Sequence, residues 1–350
     1  MIDWLTFVAP LEHASGEGGP FWNGSILSTI PDPESGEAIQ WQVDKKLAVE
    51  GSHSSTVTIK STTDASGRPA IYVSGNPAKW FQGHNIFGSD DLAGLCLEML
   101  HRICRGRGVV PSFADLAAWR AGQIELLRVD VTYSVELGNR SRVRAALRAL
   151  DASAHLKHRG RGHFYGDAIT WGKGSRRWSL TAYAKGPELD QHKLHPTLQL
   201  PALMACADGL LRLELRMQSM ELHREGLHQV AAWSDNTGLE LHASKLSGLH
   251  IAEAAMLDAN TLDGLSGRLQ LAYNSWKEGH DLRAMLPRRT FYRYRSELLQ
   301  HGIDIAIKQE REHAPSNVVP LRLVLVAQPA KVPDWAVGTD LFFEPRALVA

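Results

Sequence analysis

The chain has 350 residues, 44% of them hydrophobic and 22% charged, with 38 lysines and arginines against 38 aspartates and glutamates. This is the make-up of a globular protein, long enough for one large domain and a smaller one, and zero net charge gives no support to a protein that coats nucleic acid indiscriminately. Cys96, Cys104 and Cys206 form no CxxC pair and point to a reducing cytoplasm, while no apolar run reaches the roughly 18–20 residues that span a bilayer.

Met1–Val8 lacks a basic leader and reads as a first strand, not a signal peptide. A Gly-, Glu- and Pro-rich loop follows to about residue 24. Between Ile39 and Val73 the chain reads as a meander, with Gln40–Val43, Thr56–Ile59 and Ala70–Val73 alternating between turns. After a stretch dense in Gly, Asn and aromatics, Ser74–Gly88, a helix is predicted with Ser89 as N-cap. Leu92, Leu95, Cys96, Met99, Leu100 and Ile103 form its apolar stripe. A short helix at Phe113–Arg120 and a basic amphipathic helix at Arg142–Leu156 are also expected. His163–Trp171 and Arg177–Lys185 should form a hairpin across Gly172-Lys173-Gly174, and Pro201–Ala207 a helix. Beyond about residue 255 the character turns helical, with Thr261–Glu278 amphipathic and a helix after Pro287, before a last strand at Val318–Val326.

Three strands share one recipe. Trp178, Leu180, Ala182 and Ala184 alternate with Arg177, Ser179, Thr181, Tyr183 and Lys185. Opposite an apolar face, Leu127–Val135 presents Arg128, Asp130, Thr132 and Ser134, and Leu211–Met217 presents Arg212, Glu214 and Arg216. The expected fold class is α+β: a mainly antiparallel sheet with helices packed on one face, an open polar catalytic face, and a mostly helical C-terminal region. The division is placed at 1–255 and 256–350.

A polar face of this kind suits a site for phosphodiester chemistry. Tyr183 is the candidate nucleophile; a phenol of pKa about 10 needs help to attack, and Lys185 is placed to stabilise phenolate or protonate a leaving oxygen. Asp130 and Glu214 are candidate ligands for Mg²⁺ or Mn²⁺, which bind through few carboxylates plus water and phosphate oxygens, with His84 as a third. Arg128, Arg212 and Arg216 would neutralise flanking phosphates. Arg177 shares the polar face, and Trp171, Trp80 and Phe81 are candidate stacking platforms for bases. Arg288, Arg289, Arg293 and Arg295 form a basic helix suited to backbone contact. The competing accounts are ordinary: ion pairs on a solvated sheet face, core aromatics and a surface helix. A His-hydrophobic-His metal motif is absent.

Ordered blocks give a more specific signal. Met1-Ile2-Asp3, Asn76–Lys79, Gln82–Gly88, Arg128-Val129-Asp130, Thr170-Trp171, Ala182–Lys185, Leu211–Glu214, Leu286-Pro287-Arg288, Tyr292-Arg293-Tyr294, Gly302-Ile303 and Asn317–Pro320 occur in sequence along most of the chain. In these the chain resembles the gene-II-type replication initiators of filamentous bacteriophages, rolling-circle nicking and joining enzymes. The resemblance implies that Tyr183 becomes linked to the 5′ end of a nick, and that the reaction depends on Mg²⁺. It also implies a double-stranded phage origin as substrate; placing the scissile phosphate requires local strand opening, and Lys79 and the arginines are expected among the DNA contacts. Host polymerase and helicase are the expected partners, the host cytoplasm the expected location, and no membrane is involved. The last ~90 residues resemble a product these phages also make from an internal start, for which Met256 is the candidate here. The alternatives are a DNA-binding replication regulator that never cuts, and a hydrolytic nuclease that leaves a free 5′-phosphate.

Overall fold

The computed structural model of the protein describes residues 1–14, 19–32, 34–157, 159–251, 265–277, 279–301, 303–306 and 329–345. Its strands are β1 (Ile2–Pro10), β2 (Ser25–Pro31), β3 (Ala38–Asp44), β4 (Leu47–Glu50), β5 (Thr56–Thr63), β6 (Pro69–Gly75), β7 (Glu125–Glu136), β8 (Ala154–Leu156), β9 (Gly160–Arg161), β10 (His163–Tyr165), β11 (Ala168–Trp171), β12 (Trp178–Ala184), β13 (Leu210–Gln218) and β14 (Leu249–Ile251). Nine of them make one sheet in the order β10-β11-β12-β13-β7-β1-β6-β5-β4. Every pairing in it is antiparallel. The long strands β1, β7, β12 and β13 lie at its centre, where the alternating stretches put them.

The helices are α1 (Pro77–Gln82), α2 (Leu92–Gly106), α3 (Phe113–Arg120), α4 (Arg140–Ser153), α5 (Lys185–Gln191), α6 (Pro201–Asp208), α7 (Ser219–Arg224), α8 (Thr237–Leu246), α9 (Gly267–Lys277), α10 (Leu282–Met285) and α11 (Arg288–Leu299). The apolar stripe of α2 (Leu95, Cys96, Met99, Leu100 and Ile103) and that of α4 (Val143, Leu147 and Leu150) join one core with Leu5, Phe7, Val129, Val131, Leu180, Leu213 and Leu215 of the sheet. Each fully buried leucine there contributes about 1.5–3 kcal/mol. The α+β reading, with helices over the apolar face, holds.

Several boundaries move for local reasons. Asp91, not Ser89, caps α2, its carboxylate accepting from the Gly94 N–H at 2.8 Å, where a negative charge also meets the helix dipole. Residues 154–156 leave α4 and pair with β14. The first arm of the expected 163–185 hairpin splits into β10 and β11 around Gly166, whose φ of +59° is one that side-chain-bearing residues avoid. Lys185 is not a strand residue: β12 ends at Ala184 and α5 begins, because Pro187 has no N–H to continue a ladder and suits a first helical turn.

Helices α9, α10 and α11 bury their own cluster of Leu269, Tyr273, Trp276, Phe291, Leu298 and Ile303. Residues 329–345 return to the large sheet domain, where Phe343 stacks on Phe81 at 4.2 Å and donates its N–H to Gln82 Oε1 at 2.7 Å. The expected division after residue 255, Met256 and the strand expected at Val318–Val326 lie outside the described residues.

Candidate active site

The antiparallel register sets the polar side chains in rows across the sheet. One row runs Thr170, Thr181, Glu214 and Thr132; a second, Tyr183, Arg212 and Ser134; a third, Ser179, Arg216, Asp130 and Trp4. Side chains directly opposite on a common face approach within about 4.5–5.5 Å at Cβ. Tyr183, Arg212, Glu214 and Asp130 thus come onto one patch from three adjacent strands.

At the Arg212 end of this patch lies a chain of buried polar groups. Asn76 caps α1, its Oδ1 accepting from the Lys79 N–H at 2.8 Å, and its Nδ2 donates to Asp3 Oδ1 at 2.9 Å. Asp3 Oδ1 accepts a second hydrogen bond from Asn85 Nδ2 at 2.8 Å. Lys185 Nζ donates to Asn85 Oδ1 at 2.8 Å and to Glu188 Oε2 at 2.6 Å. The Lys185 side chain is wholly buried, and so is that of Arg212. Arg212 donates to the carbonyls of Asn85 and Ile86, and its Nη1, 4.0 Å from Asp3 Oδ1, has no hydrogen-bond partner among the described residues. The face is therefore not open along its whole length: residues 85–87 and α5 cover the Arg212 end.

Strict alternation would put Asp3 with Leu5 on the apolar side. A register shift between Ile2 and Trp4 in the pairing with β7 breaks that alternation and lets Asp3 join Asn85 and Arg212. Asp3, Asn85 and Glu188 are the members of the site that residue patterning misses. Asp3 and Asn85 stand inside the ordered blocks, but alternation gives neither a role.

The electrostatics follow from burial and charge. Burial, reinforced by Arg212, pulls the Lys185 ammonium down to about 7. Burial pushes the Tyr183 phenol well above its ordinary value, and Arg212 opposes that shift. Burial, then the neighbouring carboxylates Asp130 and Asp3, push Glu214 up to about 7. Asp3 stays low: burial works against its charge, but Arg212, Lys185 and the two asparagine donors outweigh it.

Asp130 is held by Arg128, whose Nε donates at 2.8 Å, and by Arg216, whose Nε donates at 3.2 Å. Arg216 also reaches Glu214 at 3.3 Å. Arg128 lies over the Trp4 ring at 4.9 Å. Arg177 pairs with Glu221 at 2.7 Å. Lys79 sits half-buried on α1, close enough to depress the Lys185 ammonium further. His84 directly precedes Asn85 and lies close enough to Lys185 and Arg212 to feel both charges. It is wholly buried, edge-on to Phe87 at 4.8 Å, and accepts from the Ile86 N–H at Nδ1; burial pulls its imidazole down to about 4. Among the described residues, no group of three or more His, Cys, Asp or Glu side chains is arranged to hold a metal ion.

Trp171 is 0% exposed, Trp80 3% and Phe81 7%. Buried to that degree they present no ring face to a base, and Trp171 belongs to the main core. On α11, Arg295 is locked to Asp304 by two hydrogen bonds of 2.7 Å, and Arg293 lies over Tyr294. Arg288 and Arg289 are exposed at the start of that helix.

Two family models match the chain, the N-terminal part of the replication-associated protein of gene II over residues 1–236 and its C-terminal part over residues 267–341. The chain is 34% identical to the replication-associated protein of gene II from Enterobacteria phage I2-2 over 340 residues, 95% of this chain and 96% of that protein. It is 27% identical to the protein of the same name from Enterobacteria phage f1, covering 86% of this chain and 88% of that one. The solved structure of a rolling circle replication initiator protein from Geobacillus stearothermophilus covers 74% of this chain and 89% of its own at 12% identity, with a TM-score of 0.31, too loose a likeness to carry an argument. Matched along both parts and at that identity, the chain belongs to the family of the phage gene-II replication-associated proteins.

Proposed function

We propose that the protein initiates rolling-circle replication by nicking an origin through Tyr183. The observation that carries this reading is the setting of that phenol: a half-buried tyrosine beside a buried arginine whose Nη1 is unpartnered among the described residues, two positions before a buried lysine pulled down to about 7. An ordinary strand tyrosine needs neither neighbour.

In the proposed step the Tyr183 oxygen attacks the scissile phosphorus as the bond from phosphorus to the 3′ oxygen breaks. The products are a 5′-phosphotyrosyl bond and a free 3′-OH, so one proton passes from the phenol to the leaving oxygen. Arg212, cationic and next to Tyr183 on the sheet, favours the phenolate. Lys185, held by Asn85 and Glu188, is the group matched to take up and return a proton near neutral pH. Its neutral form accepts. Reversal by a new 3′-OH rejoins the strand with no other energy source, since the ester is conserved.

Asp130 and Glu214 fit a hard divalent ion such as Mg²⁺ or Mn²⁺. They are neighbouring carboxylates, Glu214 being raised by burial and then by the charge of Asp130, and two such groups with water and phosphate oxygens suffice. Bound there, the ion would offset charge on the phosphate. Arg128 and Arg216, now on Asp130, are the side chains that would turn to flanking phosphates.

Incubation with labelled origin DNA and Mg²⁺, followed by a denaturing gel, tests the reading. The expected result is a protein-linked 5′ end that disappears in Tyr183→Phe. An adduct that survives that substitution, or a free 5′-phosphate in its place, would sink it. Loss of the adduct in Asp130→Ala and Glu214→Ala with DNA binding retained supports the carboxylate assignment.

A further inference from the structure

Strands β2 and β3 form a two-stranded ribbon that pairs with no third strand among the described residues. A lone hairpin is marginal in water unless something covers it. Here the register puts Ile26 opposite Val43, Ser28 opposite Trp41 and Ile30 opposite Ile39, all on one face. That face is apolar and bare: Ile26 is 50% exposed, Ile30 52%, Ile39 51%, Trp41 41% and Val43 43%. A contiguous strip of that kind marks an interaction surface.

Charge at the ends of the ribbon selects what covers it. The tip carries Asp32, Glu34 and Glu37, and the base carries the exposed Lys45 and Lys46 beside Asp44. A tip of three carboxylates repels a phosphate backbone, which speaks against nucleic acid as the occupant. A second copy of the same ribbon fits. Two apolar faces laid together about a two-fold axis perpendicular to the strands put the acidic tip of each over the basic base of the other. The alternative two-fold, parallel to the strands, stacks tip on tip and is opposed by like charge. Face-to-face packing of ribbons buries alternate side chains in one layer, and a two-fold interface is self-complementary by construction.

We infer that the β2–β3 ribbon is a homodimerisation arm, packing antiparallel against its counterpart with Ile30, Ile39 and Trp41 at the centre. The test is sedimentation equilibrium on the full chain, with no DNA present. Wild type should run at twice 38.6 kDa and Ile30→Asp at 38.6 kDa, the variant keeping the wild-type circular dichroism because the site is exposed. A charge exchange guards against a variant that misfolds. Glu34→Lys with Glu37→Lys in one chain, and Lys45→Glu with Lys46→Glu in another, should each be monomeric alone and recover the doubled mass when mixed. A monomeric wild type, a dimer indifferent to Ile30→Asp, or a charge-exchanged pair that fails to associate would overturn the inference. So would Ile30→Asp that weakens duplex binding while leaving the mass unchanged, since the face would then meet DNA.

Discussion

Glu188→Gln isolates the lysine. In the folded chain Lys185 Nζ rests 2.6 Å from Glu188 Oε2, and the carboxylate works to raise the lysine against burial, Arg212 and Lys79, which together bring it to about 7. Glutamine keeps an acceptor oxygen at that place and removes the charge. The Glu188 side chain is 23% exposed, so solvent screens part of the interaction. A loss of about 1 pKa unit, equivalent to ~1.4 kcal/mol, is the expected size. Neutral Lys185 is the proposed proton acceptor, so the initial rate of adduct formation should rise through about pH 7 in wild type. In Glu188→Gln the rise should come about one unit lower, with an unchanged plateau. A direct readout is the ¹³Cε shift of Lys185 in lysine-labelled protein, which should follow the same displacement. A midpoint that stays put or moves upward refutes the reasoning. A displaced ¹³Cε titration with an unmoved rate profile keeps the electrostatics and removes Lys185 from proton transfer. The same depressed value gives stability a definite slope. Between about 7 and the ordinary 10.5 the unfolded chain keeps a proton that the folded chain has released, so the free energy of urea unfolding should rise with pH across that window.

Four other outcomes are expected. Asn85→Leu strips a partner from both Lys185 and Asp3 and should cost about 1–3 kcal/mol in urea unfolding, the range for buried polar groups left unsatisfied. Trp171→Ala should cost about 3–5 kcal/mol as a large core truncation, with no selective loss of DNA affinity in the surviving folded protein. Arg288→Ala and Arg289→Ala should each lower the slope of log affinity against log salt by about 1 if each meets one phosphate. Arg295→Ala, by contrast, should leave that slope in place, because its guanidinium is committed to Asp304.

The sheet is legible in the sequence because its long central strands obey a period of two with few interruptions. Leu180, Ala182, Leu213 and Leu215 leave no second way to face the core. The shared polar face of Tyr183, Arg212, Glu214 and Asp130 follows from the same periodicity. What escapes the pattern depends on breaks in it. Asp3 reaches the site through a register shift, Lys185 through the change from strand to helix at Ala184, and Asn85 from the segment after α1. The arginines show a different limit. Periodicity places Arg128, Arg212 and Arg216 on one face alike, yet Arg212 is wholly buried while Arg216 remains 41% exposed. That difference is made by the 85–87 segment, which lies far from β13 in the chain. Trp171 reads wrongly as a platform because an indole at a strand end serves a core and a base equally well until its neighbours are known.

The buried polar chain explains how the site holds two cationic side chains close together. Arg212 depresses Lys185, and Lys79 adds to the pressure on the lysine. Relief comes from Glu188, one turn along α5, and from Asp3, kept ionised by four neighbours. Asp3 acts on both cations: it helps Arg212 to remain charged next to the phenol, and it helps to stop the fall of Lys185 at about 7. Removing its charge with Asp3→Asn should therefore move the Lys185 ¹³Cε titration below the wild-type midpoint. The same substitution weakens the hold of Asn76 and Asn85 on one another, because a single carboxylate oxygen ties the segments that carry them. A titration that stays at the wild-type midpoint in Asp3→Asn would leave Glu188 as the sole counter-charge and reduce Asp3 to a tie between β1, α1 and the segment that carries Asn85.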